Sequence, residues 1–143
     1  MLDIFLLKGT VIYQIADKKT TYKYTATTNE SRNYPISVLA DKSSASASEI
    51  LAAAFKESYD NSFIVGTKSY GKGTVQQAYS LKNGSSLKYT TEKWLTPKGN
   101  WIEKEGITQT DVVELTDEYK NNPTDENDNQ LKKAIELVTK KES

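Results

Sequence analysis

Two stretches of the chain hold side chains that could do chemistry together: SASASE at residues 44–49 and GTKSYGKG at residues 66–73. The first places Ser46 just after a short apolar run and at the head of a helix-patterned segment. A strand–turn–helix junction lifts a hydroxyl above the edge of a sheet. It also leaves the N–H of the next residue, Ala47, without an intrahelical partner. Such an N–H is a natural oxyanion donor, and the helix dipole has the right sign to assist it. The second stretch offers Lys72 in a glycine-framed turn. Gln76 follows four residues later on a strand-patterned segment, where the same face is shared.

A serine nucleophile needs a base, and the 143 residues contain no histidine and no cysteine. That removes Ser-His-Asp and Cys-His catalysis, disulfides, and zinc sites built on imidazole or thiolate. A lysine serves as base only when neutral. Its ordinary value near 10.4 must fall to about 7–8, a change of roughly 3 units or about 4 kcal/mol. Burial in an apolar pocket does this, and Tyr70 could form part of the wall. The Gln76 amide could orient the amine without adding charge, as the third member of a triad does.

Each residue has a plainer explanation. Ser46-Ala47-Ser48-Glu49 matches the capping box S-x-x-E, so Ser46 could be only a helix N-cap. Gly66, Gly71 and Gly73 could only free the backbone of a turn, with Lys72 solvated. GTKSYGKG also approaches the phosphate-loop pattern. It fails where Gly73 replaces the hydroxyl residue that would hold Mg²⁺, and TVQQAYSL beyond it reads as a strand, not a helix.

The elements that must position these groups follow from periodicity. Thr10–Ala16 and TYKYTATT read as paired strands about the turn DKKT. Pro35–Ala40 (PISVLA) is a nearly continuous apolar run, the signature of a strand buried on both faces. Ala47, Ile50, Leu51, Ala54, Phe55 and Ser58 form one helix face over residues 46–58. Ser62–Gly66 is another short apolar strand, which completes a βαβ unit with parallel strands. Residues 74–81 and SLKYTTEKWLT form a hairpin about Asn83-Gly84. PKGN turns toward Trp101 and Ile102, and Asp111–Leu115 is a last strand. Residues 116–129 read as an acidic loop. Leu131, Ala134, Ile135 and Val138 mark a C-terminal amphipathic helix whose end is rich in lysine. The start, MLDIFLLKGT, reads as the tail of an amphipathic helix stopped by Gly9, so the chain is expected to be a fragment of a longer protein.

Lys plus Arg equals Asp plus Glu at 19 each, which argues against non-specific nucleic-acid binding. No run approaches the ~18 apolar residues of a membrane span, and no signal-peptide pattern is present.

The motifs SSASASEILAAAF and IVGTKSYGKGTVQ, in that order, resemble the C-terminal processing peptidases, also called tail-specific proteases. The likeness continues through LKYTTEKWLTPKGNWIEKEGIT, DVV and QLKKAIELV, and includes LDIFLLKGTVI, so it spans nearly the whole chain. It implies a serine-type endopeptidase acting near protein C-termini or in unstructured segments through an acyl-enzyme. Ser46 would be the nucleophile, Lys72 the general base, Gln76 the supporting amide and the Ala47 N–H an oxyanion donor. The fold implied is α/β, a βαβ-containing protease core of ClpP-like and crotonase-like type, with an added β-hairpin region and a C-terminal helix. No cofactor and no metal are implied. The partners are protein or peptide substrates. The family works outside the cytoplasm, often tethered to the membrane through its N-terminus.

Departures from the family pattern are visible. The interval from Ser46 to Lys72 is one residue longer than usual, placed in SYDNS, and GITQTDVV replaces the commoner Gly-Ile-x-Pro-Asp. The PDZ domain and the Asn-Pro-Gly-Gly turn that supplies a second oxyanion donor, both expected upstream in the family, are not among these residues. Residues 1–143 are therefore expected to be one truncated protease core, weak or inactive alone, because one lost donor costs ~10²–10³ in rate. Exposed sheet edges in such a fragment could pair copies into an oligomer. The alternative is a non-catalytic peptide-binding module of the same fold.

Overall fold

The structure is a computed structural model that describes residues 1–140. Strands β1 (Val11–Ala16), β2 (Thr21–Thr25), β3 (Ile36–Ala40), β4 (Ser62–Gly66), β5 (Thr74–Ser80), β6 (Ser86–Leu95) and β7 (Asp111–Val112) form two sheets. The first is antiparallel in the order β2-β1-β6-β5, and the second is parallel in the order β3-β4-β7. Helix α1 (Ala47–Ser58) joins β3 to β4, α2 (Asp117–Asn121) follows β7, and α3 (Asn129–Lys140) comes last. The α/β class and the βαβ unit expected from the sequence are present.

The alternation along β3 explains its two neighbours. Ile36, Val38 and Ala40 belong to the core that α1 fills with Ala52, Ala53 and Phe55. Between them Ser37 turns the other way and donates from its hydroxyl to the Ala134 carbonyl of α3 at 3.1 Å. The core continues across to the antiparallel sheet through the buried Trp94 of β6 and reaches Ile102 and Ile107. An aromatic cluster strengthens it: Phe5 meets Phe55 edge-on at 5.6 Å, and Phe55 meets Tyr59 at 5.7 Å.

Four expectations need correction. β3 is not buried on both faces, because Leu39, on the face opposite α1, is 44% exposed. The N-terminal segment forms only a 3-10 turn at Leu2–Ile4, after which the chain bends to bury Leu6 beside Ala26 and Ala54. Asp3 anchors that bend, its carboxylate accepting the Thr27 hydroxyl at 2.7 Å. Residues 116–129 are not all loop, since the Thr116 hydroxyl caps α2. On α3 the buried positions are Gln130 and Ala134, whereas Ile135 is exposed. The Gln130 amide donates to the Val113 carbonyl at 2.7 Å, so a polar side chain takes a core position by satisfying a buried backbone oxygen. Lys141, part of the lysine-rich end, lies outside the described residues.

Candidate active site

The junction between β3 and α1 carries Ser46 in an uncommon conformation, φ 58° and ψ −114°. An ordinary N-cap residue has extended dihedrals. A non-glycine residue in this region costs about 1–3 kcal/mol and persists only where its surroundings hold it. Here the Glu49 carboxylate accepts the Ser46 N–H at 2.9 Å, while the Ser46 carbonyl accepts the N–H groups of Glu49 and Ile50 at 2.9 and 3.0 Å. Glu49 thus supplies the reach-back half of a capping box, while Ser46 itself is exposed. Among the described residues the Ala47 N–H has no hydrogen-bond partner, as expected for the first residue of a helix.

Lys72 lies in the loop between β4 and β5. Its backbone is pinned on both sides: its N–H donates to Glu49 Oε2 at 2.9 Å, and its carbonyl accepts the Trp94 indole N–H. The flanking glycines serve packing. A Cβ on Gly71 would sit 2.8 Å from the Gly106 nitrogen, and one on Gly73 would sit 2.8 Å from the Glu103 nitrogen. The loop leads into strand β5, so no helix N-terminus follows GKG to receive a phosphate.

A cavity of about 400 Å³ joins the pieces, with Ser46, Lys72 and Gln76 all in its lining. Tyr13, Ile15, Ile50, Val75 and Trp94 make its apolar walls, and Lys88 also contributes. A second hollow of about 500 Å³ shares Lys72 and Gln76 and adds Ser43, Ala45, Tyr70 and Glu103. Thus α1, the β4–β5 loop and the face of the antiparallel sheet meet at one place. Lys72 precedes the strand, and the β5–β6 register shifts between Val75 and Gln76.

Two expectations about the lysine are not met by these residues. Tyr70 is 65% exposed and walls only the second hollow, so it does not dry the first. Lys72 itself is exposed, and among the described residues no hydrogen bond joins it to the Ser46 hydroxyl. The apolar walls come instead from Tyr13, Ile15 and Trp94. Their strand alternation was legible, but the pairing Ile15–Trp94 that brings β1 beside β6 was not. Tyr13 stacks on Tyr24 at 4.5 Å. Burial, and to a lesser degree the neighbouring Tyr24, raises the Tyr13 phenol above its ordinary value.

Among the described residues no group of three or more Asp and Glu side chains could hold a metal ion, and no helix is long and apolar enough to cross a membrane.

The comparisons with known proteins agree with one another. Residues 1–113 match the model of peptidase family S41. The chain is 44% identical over 140 residues to the carboxy-terminal processing protease CtpB of Bacillus subtilis (strain 168), covering 96% of this chain and 28% of that protein. It is 38% identical over 122 residues to a "Probable CtpA-like serine protease" of Staphylococcus aureus (strain COL), covering 83% of this chain and 24% of that protein. The chain thus spans less than a third of the length of these relatives. Among solved structures, the photosystem II D1 C-terminal processing protease superposes with a TM-score of 0.69 and 30% identity, over 79% of this chain and 30% of that one. By sequence and by fold, the chain belongs to peptidase family S41.

Proposed function

We propose that this chain carries the nucleophile and the base of a serine-type endopeptidase that cleaves near protein C-termini or within unstructured segments. One observation carries the proposal: Ser46, Lys72 and Gln76, contributed by a helix start, a loop and a strand, line one cavity with apolar walls. In the first half-reaction the Ser46 Oγ attacks the scissile carbonyl carbon, and its proton passes to the neutral Lys72 amine. The Ala47 N–H receives the developing oxyanion. Collapse of the tetrahedral adduct breaks the C–N bond, and Lys72 returns the proton to the departing amine, leaving an ester on Ser46. Water then attacks that ester with Lys72 again accepting a proton, and the Ser46 hydroxyl is restored. The Gln76 amide steadies the amine without charge.

The amine must be free of water to act, and Lys72 is exposed in the chain alone. A peptide filling the cavity between Ile50, Val75 and Trp94 would displace that water. The exposure of Lys72 also favours a second reading, a peptide-binding module of the same fold without turnover. Placement outside the cytoplasm, tethering to a membrane and weak activity of the isolated chain are further proposals that rest on family resemblance.

Cleavage of an unstructured peptide, followed by mass spectrometry of the products, separates the two readings. The polypeptide should be tested at its natural length. Turnover that falls at least ~10³-fold in both Ser46→Ala and Lys72→Ala supports the peptidase. Binding with no products, unaltered by either change, supports the module.

A further inference from the structure

We propose that Glu49 is a positioning residue whose carboxylate sets the nucleophile-bearing turn against the base-bearing loop. The inference rests on the reading of Ser46 and Lys72 given above. Glu49 is fully buried, at 0% exposure, on the first turn of α1. A capping box asks only that such a glutamate reach back to one N–H. This one accepts four hydrogen bonds. Oε2 takes the Ser46 N–H and the Lys72 N–H, both at 2.9 Å, and Oε1 takes the Ser69 hydroxyl and the Gly71 N–H, both at 2.6 Å.

Three of those donors belong to the loop beyond β4, so a single oxygen, Oε2, bridges the backbones of Ser46 and Lys72. A carboxylate has about four lone-pair sites, and here all are filled. None of the ion pairs among the described residues includes Glu49. The acid therefore holds the lysine by its backbone, and its lone pairs are not directed at the lysine side chain. An acid paired with the Lys72 amine would favour the protonated form and oppose its work as a base. The Ser69 hydroxyl extends the clamp by accepting the Ile107 N–H at 2.6 Å. A further direct tie between turn and loop is the Tyr70 N–H to the Ser44 carbonyl at 3.0 Å.

Glu49→Gln tests this. It keeps the shape but replaces one carboxylate oxygen by an amide NH2 that cannot accept, so the two donors on that oxygen lose their partner. The readouts are the rate at which a fluorophosphonate labels Ser46, and kcat and KM on an unstructured peptide. Thr110→Val serves as the stability control, because Thr110 supports Ile64 through a hydrogen bond at 2.9 Å that involves none of the site residues. The expected result is labelling and kcat lowered about 10²-fold with KM nearly unchanged, since a small misplacement costs roughly that factor. Glu49→Asp, which keeps the acceptors, should recover part of the rate. Thr110→Val should lower the melting temperature and leave labelling intact.

A folded Glu49→Gln protein that labels at the wild-type rate overturns the positioning role and leaves the peptidase reading standing. Failure of both Glu49 variants to fold makes Glu49 a residue of the fold and also overturns it. A wild-type protein that does not label at Ser46 defeats the peptidase reading and the inference with it.

Discussion

Gly71 and Gly84 share one φ, +86° and +85°, but not one environment. A Cβ on Gly84 would meet nothing within 4 Å, whereas a Cβ on Gly71 would lie 2.8 Å from the Gly106 nitrogen and 3.0 Å from the Glu105 nitrogen and the Ile102 oxygen. All three are backbone atoms, so no side chain can swing aside. Gly84→Ala should therefore show the left-handed penalty alone, about 1 kcal/mol. Gly71→Ala adds overpacking of about 1–3 kcal/mol, for a total near 2–4 kcal/mol. Urea unfolding of the two variants, with unchanged slopes, reads the difference directly. Gly71→Ala should also slow Ser46 labelling, because relief of the clash moves the backbone that carries Lys72. Equal destabilisation by the two substitutions would refute the view that GKG owes its glycines to close packing on residues 102–106.

Two further predictions concern stability. Phe55 is 2% exposed and meets both Phe5 and Tyr59 edge-on, so Phe55→Ala should cost about 3–5 kcal/mol in urea unfolding. The Asp3 carboxyl is held below its ordinary value of 3.8, chiefly by the Thr27 N–H and then by the Thr27 hydroxyl. A lowered folded value means that its contribution is present above the ordinary aspartate range and is lost as pH falls through the depressed value. Melting temperatures measured from neutral to acid pH should therefore fall more steeply for the wild type than for Asp3→Asn.

Much of the site was legible because its signals are local. The apolar run before Ser46, the helix periodicity after it and the glycine-framed lysine each stand within a dozen residues. The βαβ order then brings both loops to the same ends of adjacent parallel strands, β3 and β4. Less could be read where distant partners decide. Glu49 was visible as half of a capping box, but the three donors from Ser69, Gly71 and Lys72 arise only once α1 and the β4–β5 loop meet. No spacing in β5 announces the register shift between Val75 and Gln76. The N-terminal apolar stretch has helix-like composition, yet contacts of Leu6 with Ala26 and Ala54 favour a bent chain over further helical turns. Leu39 reads as core by type but sits on an edge strand, where neighbouring elements set its exposure.

The peptidase proposal comes down to whether the Ser46 hydroxyl is made nucleophilic by Lys72. Intact-mass and peptide mapping after fluorophosphonate treatment measure this most directly. The account predicts a single adduct on Ser46 that is lost in Lys72→Ala. An adduct that forms on Ser46 at the same rate without the Lys72 amine, or one that settles on Ser44 or Ser48 instead, would contradict it.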